Sequence, residues 1–512
     1  MLFGLMAFSG FIFAQGGIAG AEPTGAAEAA TAIGAAVAGT EVAFTSRLMS
    51  VLGLLFMMGC AWTMSAHKRK IQWRVIVIGL ALQFTFGLLA LKTDAGATFF
   101  AGVKDAASTL IGFTVEGSQM LFGSVTFKGY VAFVVLPTII FFSSLMSVLY
   151  HLGLMQRIVG GLAWVMHRTL RTSGAESLSA AGNIFVGQTE APLLVRPYVS
   201  KMTQSELMAV MVGGFATVAG GVFAAYVGML SAYFPDIAGH LLTASIMSAP
   251  AALVIAKIMV PETETPVTAD GAAKAGEADT ANLIDAAARG AGDGLTLALN
   301  VGAMLLAFIA LVAMVNYLFG MPSYIQHHNV LEELVAFAGG NGVALPDELM
   351  ASCNPAKIPW KGAEACVPQV AEAIKAAGAQ PPAYSLWGVF TLERLFGYVF
   401  YPFAFVMGVE TGDCMQVGQL LGSKMVLNEF VAYESLSSML KADVTALSPR
   451  SVTIVTYALC GFANFGSIAI QIGGIGSIAP ERRPDLARLG IKAMFGGTLA
   501  AFMTACVAGI LV

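Results

Sequence analysis

Charged residues are scarce in this chain of 512 residues. Lys and Arg number 27 and Asp and Glu number 31, together 11% of the chain, whereas soluble domains carry about 25%. Apolar residues make up 57%, and the mean hydropathy is +0.76. These values exclude an ordinary soluble protein. The apolar residues fall in long runs rather than alternating with polar ones, which predicts an all-α polytopic membrane protein and not a β-barrel.

Several signatures of chemistry are also missing. The net charge is −4 with no extended basic tract behind it, so nucleic-acid binding has no electrostatic support. The six cysteines include no C-x-x-C pair, and the nucleophile-elbow, P-loop and His-Glu-x-x-His motifs are absent. These absences argue against an enzyme and against a thiolate metal site.

About eight apolar stretches approach the ~20 residues that a spanning helix needs. They lie near 48–66, 74–91, 129–150, 206–231, 239–260, 296–320, 451–475 and 490–512. The loop between the first two carries His67, Lys68, Arg69 and Lys70, and the positive-inside rule places it in the cytoplasm. Counting onward puts both chain termini on the extracytoplasmic side, in a protein of the cell (inner) membrane.

Three segments fall outside the spans. Residues 1–45 begin with a short apolar run, and both a cleaved signal-like segment and an uncleaved tail remain open. Residues 261–295 are rich in Ala, Thr and acids, which predicts a cytoplasmic linker with a short helix. Residues 321–386 predict a polar extracytoplasmic insertion, in which Cys353 and Cys366 are candidates for a disulfide.

Two further segments, 174–200 and 412–440, carry polar residues and glycines between apolar arms. The loop count requires each to enter and leave on one side, so we expect re-entrant hairpins, with surface-lying amphipathic helices as the alternative. Each is followed by a span with a related interruption, GFAT at 214–217 and GFAN at 461–464. The two units would have opposite orientations. Inverted repeats with broken helices are typical of secondary transporters.

Each predicted hairpin contains an acid, Glu190 in the first and Glu429 in the second. An acid near the bilayer centre costs about 2.5–3.5 kcal/mol, so we expect a functional role, with pairing to Arg196 or Lys424 as the structural alternative. The neutral polar residues around them suit a solute rich in hydroxyls and amides; they are Gln188, Thr189, Asn428, Asn464 and Ser467. Backbone carbonyls at the breaks, together with Asn183 and Thr217, are candidates for an oxygen cage around sodium.

The motifs GQTEAPLLVRP at 187–197, GSKMVLNEFVA at 422–432 and CGFAN at 460–464 resemble those of the concentrative nucleoside transporter family. The resemblance covers roughly 45–320 and 385–512. It implies eight spans plus two re-entrant hairpins, a homotrimer, and sodium-coupled symport of nucleosides by an elevator movement. The first motif is similar to that of the sodium-coupled branch. A proton-coupled symporter, and a nucleoside channel or receptor without accumulation, remain the alternatives.

The resemblance also implies roles for residues and segments. It implies a nucleobase site at Gln188, Thr189 and Glu190, a ribose site at Glu429, Asn464 and Ser467, and flanking apolar contacts from Val222 and Phe462. It implies a sodium site from Asn183, the Val186 and Val218 carbonyls, and Thr217. Scaffold helices would come from 46–150 and 296–320, and a transport domain from 151–260 and 387–512.

Overall fold

The computed structural model describes residues 44–123, 126, 131–271, 273, 280–386, 388 and 390–512. Within these residues the regular structure is entirely helical, which confirms the predicted all-α class. The apolar run at 2–14, and with it the question of a signal peptide, lies outside the described residues.

Twenty α-helices follow one another along the described chain. The first ten are α1 (Phe44–Thr63), α2 (Trp73–Lys92), α3 (Asp94–Phe122), α4 (Val131–His151), α5 (Leu154–Leu170), α6 (Gly174–Gly182), α7 (Ala191–Leu194), α8 (Arg196–Val199), α9 (Gln204–Ala216) and α10 (Gly220–Leu230). The others are α11 (Ile237–Met259), α12 (Leu283–Gly340), α13 (Asp347–Ser352), α14 (Ala363–Ala376), α15 (Leu392–Met407), α16 (Cys414–Val426), α17 (Glu429–Ala442), α18 (Pro449–Leu459), α19 (Phe465–Ile478) and α20 (Arg483–Leu511).

Seven stretches of the described chain are long and apolar enough to cross a membrane. They correspond to seven of the eight predicted spans. The eighth, 451–475, is divided between α18 and α19, and the predicted span 206–231 is likewise divided between α9 and α10. The predicted span 296–320 lies inside the 58-residue helix α12, which begins within the predicted linker and continues into the predicted insertion.

The spanning helices differ sharply in how far the rest of the chain covers them. The α9–α10 pair and α11 are each 89% buried along their apolar windows, and α20 is 83% buried. The helices α1, α2 and α4, and the apolar part of α12, are only 17–28% buried. Large apolar side chains such as Leu55, Val77 and Leu299 are exposed on these peripheral helices, as expected where lipid surrounds a protein.

Hydropathy did not identify two other helices, α3 and α15. Helix α3 carries Lys104, Asp105 and Glu116, so no stretch of it reads as a span. Helix α15 has 16 residues and begins with charged residues, and it packs along α16. The Asn316 side chain on α12 donates to Glu393 at 2.8 Å and accepts from the Leu392 backbone at 2.7 Å, which fixes the start of α15.

The first predicted hairpin is anchored at one end of the molecule by paired helix starts. Ser173 and Glu176 form a capping box on α6, and Thr203 and Glu206 form one on α9. The Ser173 hydroxyl donates to Glu206 at 2.6 Å. Lys257, near the end of α11, makes an ion pair with Glu176 at 2.7 Å. These bonds hold the N-termini of α6 and α9 and the C-terminus of α11 together.

The predicted insertion forms a small unit of its own. The end of α12 packs against α14 through Leu331, Leu334 and Val367, all of which are fully buried. Cys353 and Cys366, the candidate pair, form a disulfide with an S–S distance of 2.07 Å.

Candidate functional site

The two predicted hairpin segments both form helix–break–helix units. In the first unit, α6 ends at Gly182 and the chain turns through 183–190 before α7 and α8. In the second unit, α16 ends at Val426 and α17 begins at Glu429. Each unit precedes a broken span: α9–α10 is interrupted at 217–219 and α18–α19 at 460–464. Breaks of this kind release backbone polar groups that need other partners.

The two broken spans touch each other at their interruptions. Gly461 has a φ of +139°, a conformation that side chains disfavour. A Cβ atom there would also lie 2.8 Å from the Phe215 carbonyl oxygen and 2.9 Å from the Ala216 carbonyl carbon. Only glycine therefore lets the break between α18 and α19 lie against the end of α9.

Glu429 is the first residue of α17, and its buried carboxylate accepts from one side chain on α10 and one in the break before α19. The Tyr226 hydroxyl on α10 donates to Oε1 at 2.9 Å, and Asn464 Nδ2 donates to Oε2 at 3.1 Å. Asn464 also caps α19, because its Oδ1 accepts from the Ser467 backbone N–H at 2.8 Å. Asn428 caps α17 by accepting from the Val431 N–H.

A buried glutamine extends these contacts to the first unit. Gln188 Nε2 donates to the Ser467 hydroxyl at 3.0 Å. Gln188, Ser467, Asn464 and Glu429 thus form a connected set across both units, which we call the polar chain. Gln471 on α19 donates to Gln188 Oε1 and to the Met211 carbonyl, both at 3.1 Å.

Thr189 and Glu190 lie beside the polar chain and not within it. A Cβ atom on Gly474 would lie 2.9 Å from Thr189 Cγ2, so Thr189 packs against α19. Glu190 is exposed and lines a separate cavity of about 340 Å³, together with Tyr150 and Asp293 of the peripheral helices α4 and α12. The structure therefore brings Gln188 to Glu429 but does not bring Glu190 there.

The two apolar residues assigned to the ligand by resemblance lie on the two broken spans. Val222 is 3% exposed in the first turn of α10. Phe462 is half-buried within the break at 460–464, and its carbonyl accepts from the Asn464 N–H at 2.9 Å.

The four residues assigned to sodium lie where the first unit meets the break at 217–219. Asn183 is completely buried, and its Nδ2 donates to the Ser179 carbonyl at 3.1 Å, whereas its Oδ1 has no hydrogen-bond partner among the described residues. A Cβ atom on Gly213 would lie 3.0 Å from Asn183 Nδ2, and the Thr217 hydroxyl donates to the Gly213 carbonyl at 2.9 Å.

The remaining two residues of that set flank a backbone contact between the turn and the break. The Gly220 N–H donates to the Phe185 carbonyl at 3.0 Å. Val186 follows Phe185, and Val218 lies two residues before Gly220 and is buried. Val186 and Val218 thus lie on either side of this contact, and the unpartnered Asn183 Oδ1 belongs to the same turn as Val186.

Sequence reasoning missed two members of this region, Tyr226 and Gln471. Tyr226 is the single polar residue of α10, and Gln471 is the only amide in α19, whose other polar residues are Ser467 and Ser477; isolated polar residues in apolar helices usually mean a hydrogen bond between helices. Their positions relative to Gln188 and Glu429 depend on how α10 and α19 cross the two units. No periodicity in the sequence carries that information.

Three sequence-family models match the chain. The first is described as the Na+ dependent nucleoside transporter C-terminus and matches 240–338 and 371–509. The second is described as the Na+ dependent nucleoside transporter N-terminus and matches 52–125. The third, described as nucleoside recognition, matches 132–233 and thus includes the first unit.

Full-length relatives are also similar. The chain is 40% identical over 477 residues to rat solute carrier family 28 member 3, covering 91% of this chain and 59% of that protein. It is 39% identical to the uncharacterized transporter YutK of Bacillus subtilis, covering 91% of this chain and 99% of YutK. The chain therefore spans about three fifths of the mammalian relative and nearly all of the bacterial one.

Solved structures agree with these matches. CNTnw in an inward-facing substrate-bound state superposes with a TM-score of 0.72 at 37% identity, covering 91% of this chain and 98% of that one. A CNTnw variant in an outward-facing state superposes with a TM-score of 0.75 at 37% identity, covering 92% and 99%. The relatives carry transporter names, in agreement with the exclusion of an enzyme.

Proposed function

Because the chain belongs to the concentrative nucleoside transporter family, we propose that it moves nucleosides across a cell membrane by symport with sodium. The observation that supports this solute is the polar chain. Glu429 offers two acceptor oxygens to the hydroxyls of a ribose, and Gln188 offers one donor and one acceptor to a nucleobase edge. The four side chains of the polar chain include no Arg or Lys, which suits a neutral ligand.

Asn183 supports sodium as the coupling ion. A buried acceptor without a partner costs about 1–3 kcal/mol, and a bound sodium would satisfy Asn183 Oδ1 together with oxygens of Val186, Thr217 and Val218. At a membrane potential of 100 mV one inward charge supplies about 2.3 kcal/mol, which corresponds to roughly fiftyfold accumulation. We therefore infer that nucleoside uptake is concentrative.

The burial contrast supports a division into two domains. We assign the enclosed helices of 151–260 and 387–512 to a transport domain, and the peripheral helices of 46–150 and 296–320 to a scaffold. In this proposal the two units are re-entrant hairpins, and the transport domain moves as an elevator against the scaffold of a homotrimer. The protein would lie in the inner membrane with both termini outside.

Uptake into proteoliposomes tests the proposed function. We expect labelled uridine and adenosine to accumulate under an inward sodium gradient, and not when choline replaces sodium at the same osmolarity and pH. Uptake that follows pH and ignores sodium would instead establish proton coupling. Uptake in neither medium would refute nucleoside transport.

Counterflow separates a carrier from a channel. Vesicles preloaded with unlabelled uridine should transiently concentrate labelled uridine, because a carrier exchanges its substrate across the membrane. A pore equilibrates label without that overshoot, and such a result would contradict alternating access.

A further inference from the structure

Three cationic side chains are buried in the described part of the chain: Lys257, Lys424 and Arg450. Lys257 pairs with carboxylates, at 2.7 Å to Glu176 and 3.5 Å to Glu262. Within the described residues, Lys424 has no carboxylate at ion-pair distance. Its Nζ donates instead to the Ala458 carbonyl at 2.8 Å, and the side chain is 1% exposed. Burying a charge without a close counter-ion is costly, so other interactions must compensate for the burial of this ammonium.

The compensating interaction comes from Ala458, which lies one residue before the end of α18. The last carbonyls of a helix lack backbone partners and carry partial negative charge, which a cation stabilises. The neighbouring carbonyl of Thr456 accepts from the Tyr433 hydroxyl at 2.7 Å. The second unit thus supplies two donors to the last turn of α18, an ammonium from α16 and a hydroxyl from α17.

Arg450 shows the same use of a buried cation elsewhere. Its guanidinium donates to the Gly408 carbonyl beyond the end of α15 at 3.0 Å and to the Gly509 carbonyl near the end of α20 at 2.7 Å. Capping helix ends with buried cations is therefore a recurrent feature of this fold.

The first unit has no such cation at the equivalent place. Asn183 directly follows α6, and Lys424 lies in the last turn of α16, so the two residues hold similar places in their units. Each lies near the last turn of the first helix of the broken span that follows. Asn183 approaches Gly213 of α9, and Lys424 approaches Ala458 of α18. Among the described residues, none of the three buried cationic side chains bonds a carbonyl in the last turn of α9, and Asn183 Oδ1 is left without a partner.

We propose that the Lys424 ammonium is a built-in cation that stabilises the end of α18 as the coupling sodium stabilises the end of α9. The second unit then needs no sodium at its break. Lys424 is a positioning residue: its bond to the Ala458 carbonyl holds the end of α18, next to the break at 460–464 that contains Asn464. The inference rests on the proposed sodium site of the first unit.

Equilibrium binding to the purified protein tests this role with the variant Lys424→Met. We expect the dissociation constant of uridine at saturating sodium to rise at least roughly tenfold. We expect that of radioactive sodium, measured without uridine, to change by less than roughly threefold. Lys441→Met removes an exposed lysine at the end of α17, and both constants should stay unchanged. An unaltered uridine affinity in Lys424→Met, or a parallel loss of both affinities, would overturn the proposal.

Chemical rescue separates a missing charge from a damaged core. In Lys424→Ala, methylammonium should restore uridine binding, whereas the larger tetramethylammonium should not. Rescue by neither or by both equally would contradict the assignment.

The wild-type protein provides a measurement that does not depend on the folding of a variant. We expect a single sodium ion per protomer at saturation, and two would overturn the proposal. Wild-type protein that bound neither sodium nor uridine would refute the proposed function instead, so the two failures are distinguishable.

Discussion

The first and second helix–break–helix units differ in how their buried polar atoms are bonded. In the second unit, both Glu429 oxygens accept hydrogen bonds, and Lys424 bonds the end of the following span. In the first unit, Asn183 Oδ1 has no partner among the described residues, although the residue is completely buried. The same helix–break–helix pattern thus gives one unit whose carboxylate is hydrogen-bonded and one unit with an unpartnered buried acceptor.

This difference suggests a division of labour between the units. A site whose polar groups are already bonded is organised before its ligand arrives, which lowers the cost of binding. A site with an orphaned acceptor gains most from a ligand that satisfies it. We therefore expect the second unit to supply the main affinity for the nucleoside and the first unit to respond to sodium.

The largest expected effect comes from Glu429→Gln. Because a hydrogen bond to a charged group contributes about 1.5–3 kcal/mol, losing the carboxylate should raise the dissociation constant of uridine by roughly a hundredfold. Sodium affinity measured without uridine should stay within roughly threefold of the wild type. Isothermal titration of the purified protein measures both.

Glu434→Gln is the matched control for this change. Glu434 lies on the same helix, and its carboxylate accepts from Ser438 at the exposed surface. Its replacement should leave both affinities unchanged. Near-normal uridine affinity in Glu429→Gln would remove Glu429 from the proposed ribose site and with it the contrast between the units.

The next largest effect is expected from Asn183→Leu, which replaces the orphaned amide with an apolar side chain of similar size. At a sodium concentration of a hundred times its dissociation constant, binding stabilises a wild-type site by about 2.7 kcal/mol. The variant should lose this sodium-induced rise in melting temperature. In choline it should be at least as stable as the wild type, because the unpaired amide oxygen of Asn183 is removed.

Asn341→Leu serves as the control, since Asn341 ends α12 at the exposed surface and bonds only locally to the Phe337 carbonyl. It should keep the full response to sodium. A sodium response retained in Asn183→Leu would show that the ion binds elsewhere.

The membrane fold was largely predictable because lipid requires long apolar helices. The search for long apolar stretches failed for helices that are charged or short, or that extend beyond their apolar part. Helix α3 carries charges along its length, α15 is short, and α12 continues far beyond its apolar part. The interruptions at 217–219 and 460–464 were indicated by glycine motifs, but their mutual contact through Gly461 is a property of the folded chain.

The site was predictable only in part, for a related reason. Acids and amides in the hairpin segments and broken spans indicate function because lipid penalises them, and this made Gln188, Glu429 and Asn464 candidates. Which of them meet depends on tertiary packing. Gln188 bonds Ser467, whereas the nearby Glu190 lines a cavity to which no residue of the polar chain contributes. Only the hydrogen bond to Glu429 in the structure indicates that Tyr226 belongs to this region.

The smallest expected effect, from Gln471→Leu, tests whether the two units are as separate as their bonding suggests. Gln471 belongs to the span after the second unit, yet it donates to Gln188 of the first unit and to the Met211 carbonyl of α9. Its loss should free Gln188 to rotate and raise the dissociation constant of uridine by roughly fivefold, about 1 kcal/mol. Equilibrium binding of uridine and adenosine measures the effect.

Gln83→Leu separates this role from a general loss of stability. Gln83 is equally buried on α2 and donates to the Met247 carbonyl and to Thr504, away from the polar chain. It should lower the melting temperature about as much as Gln471→Leu while leaving uridine affinity within roughly twofold of the wild type. If Gln471→Leu also weakened sodium binding fivefold or more, the hydrogen bonds of Gln471 would couple the nucleoside site to the sodium site. The units would then be two halves of one site, and the division of labour would be wrong.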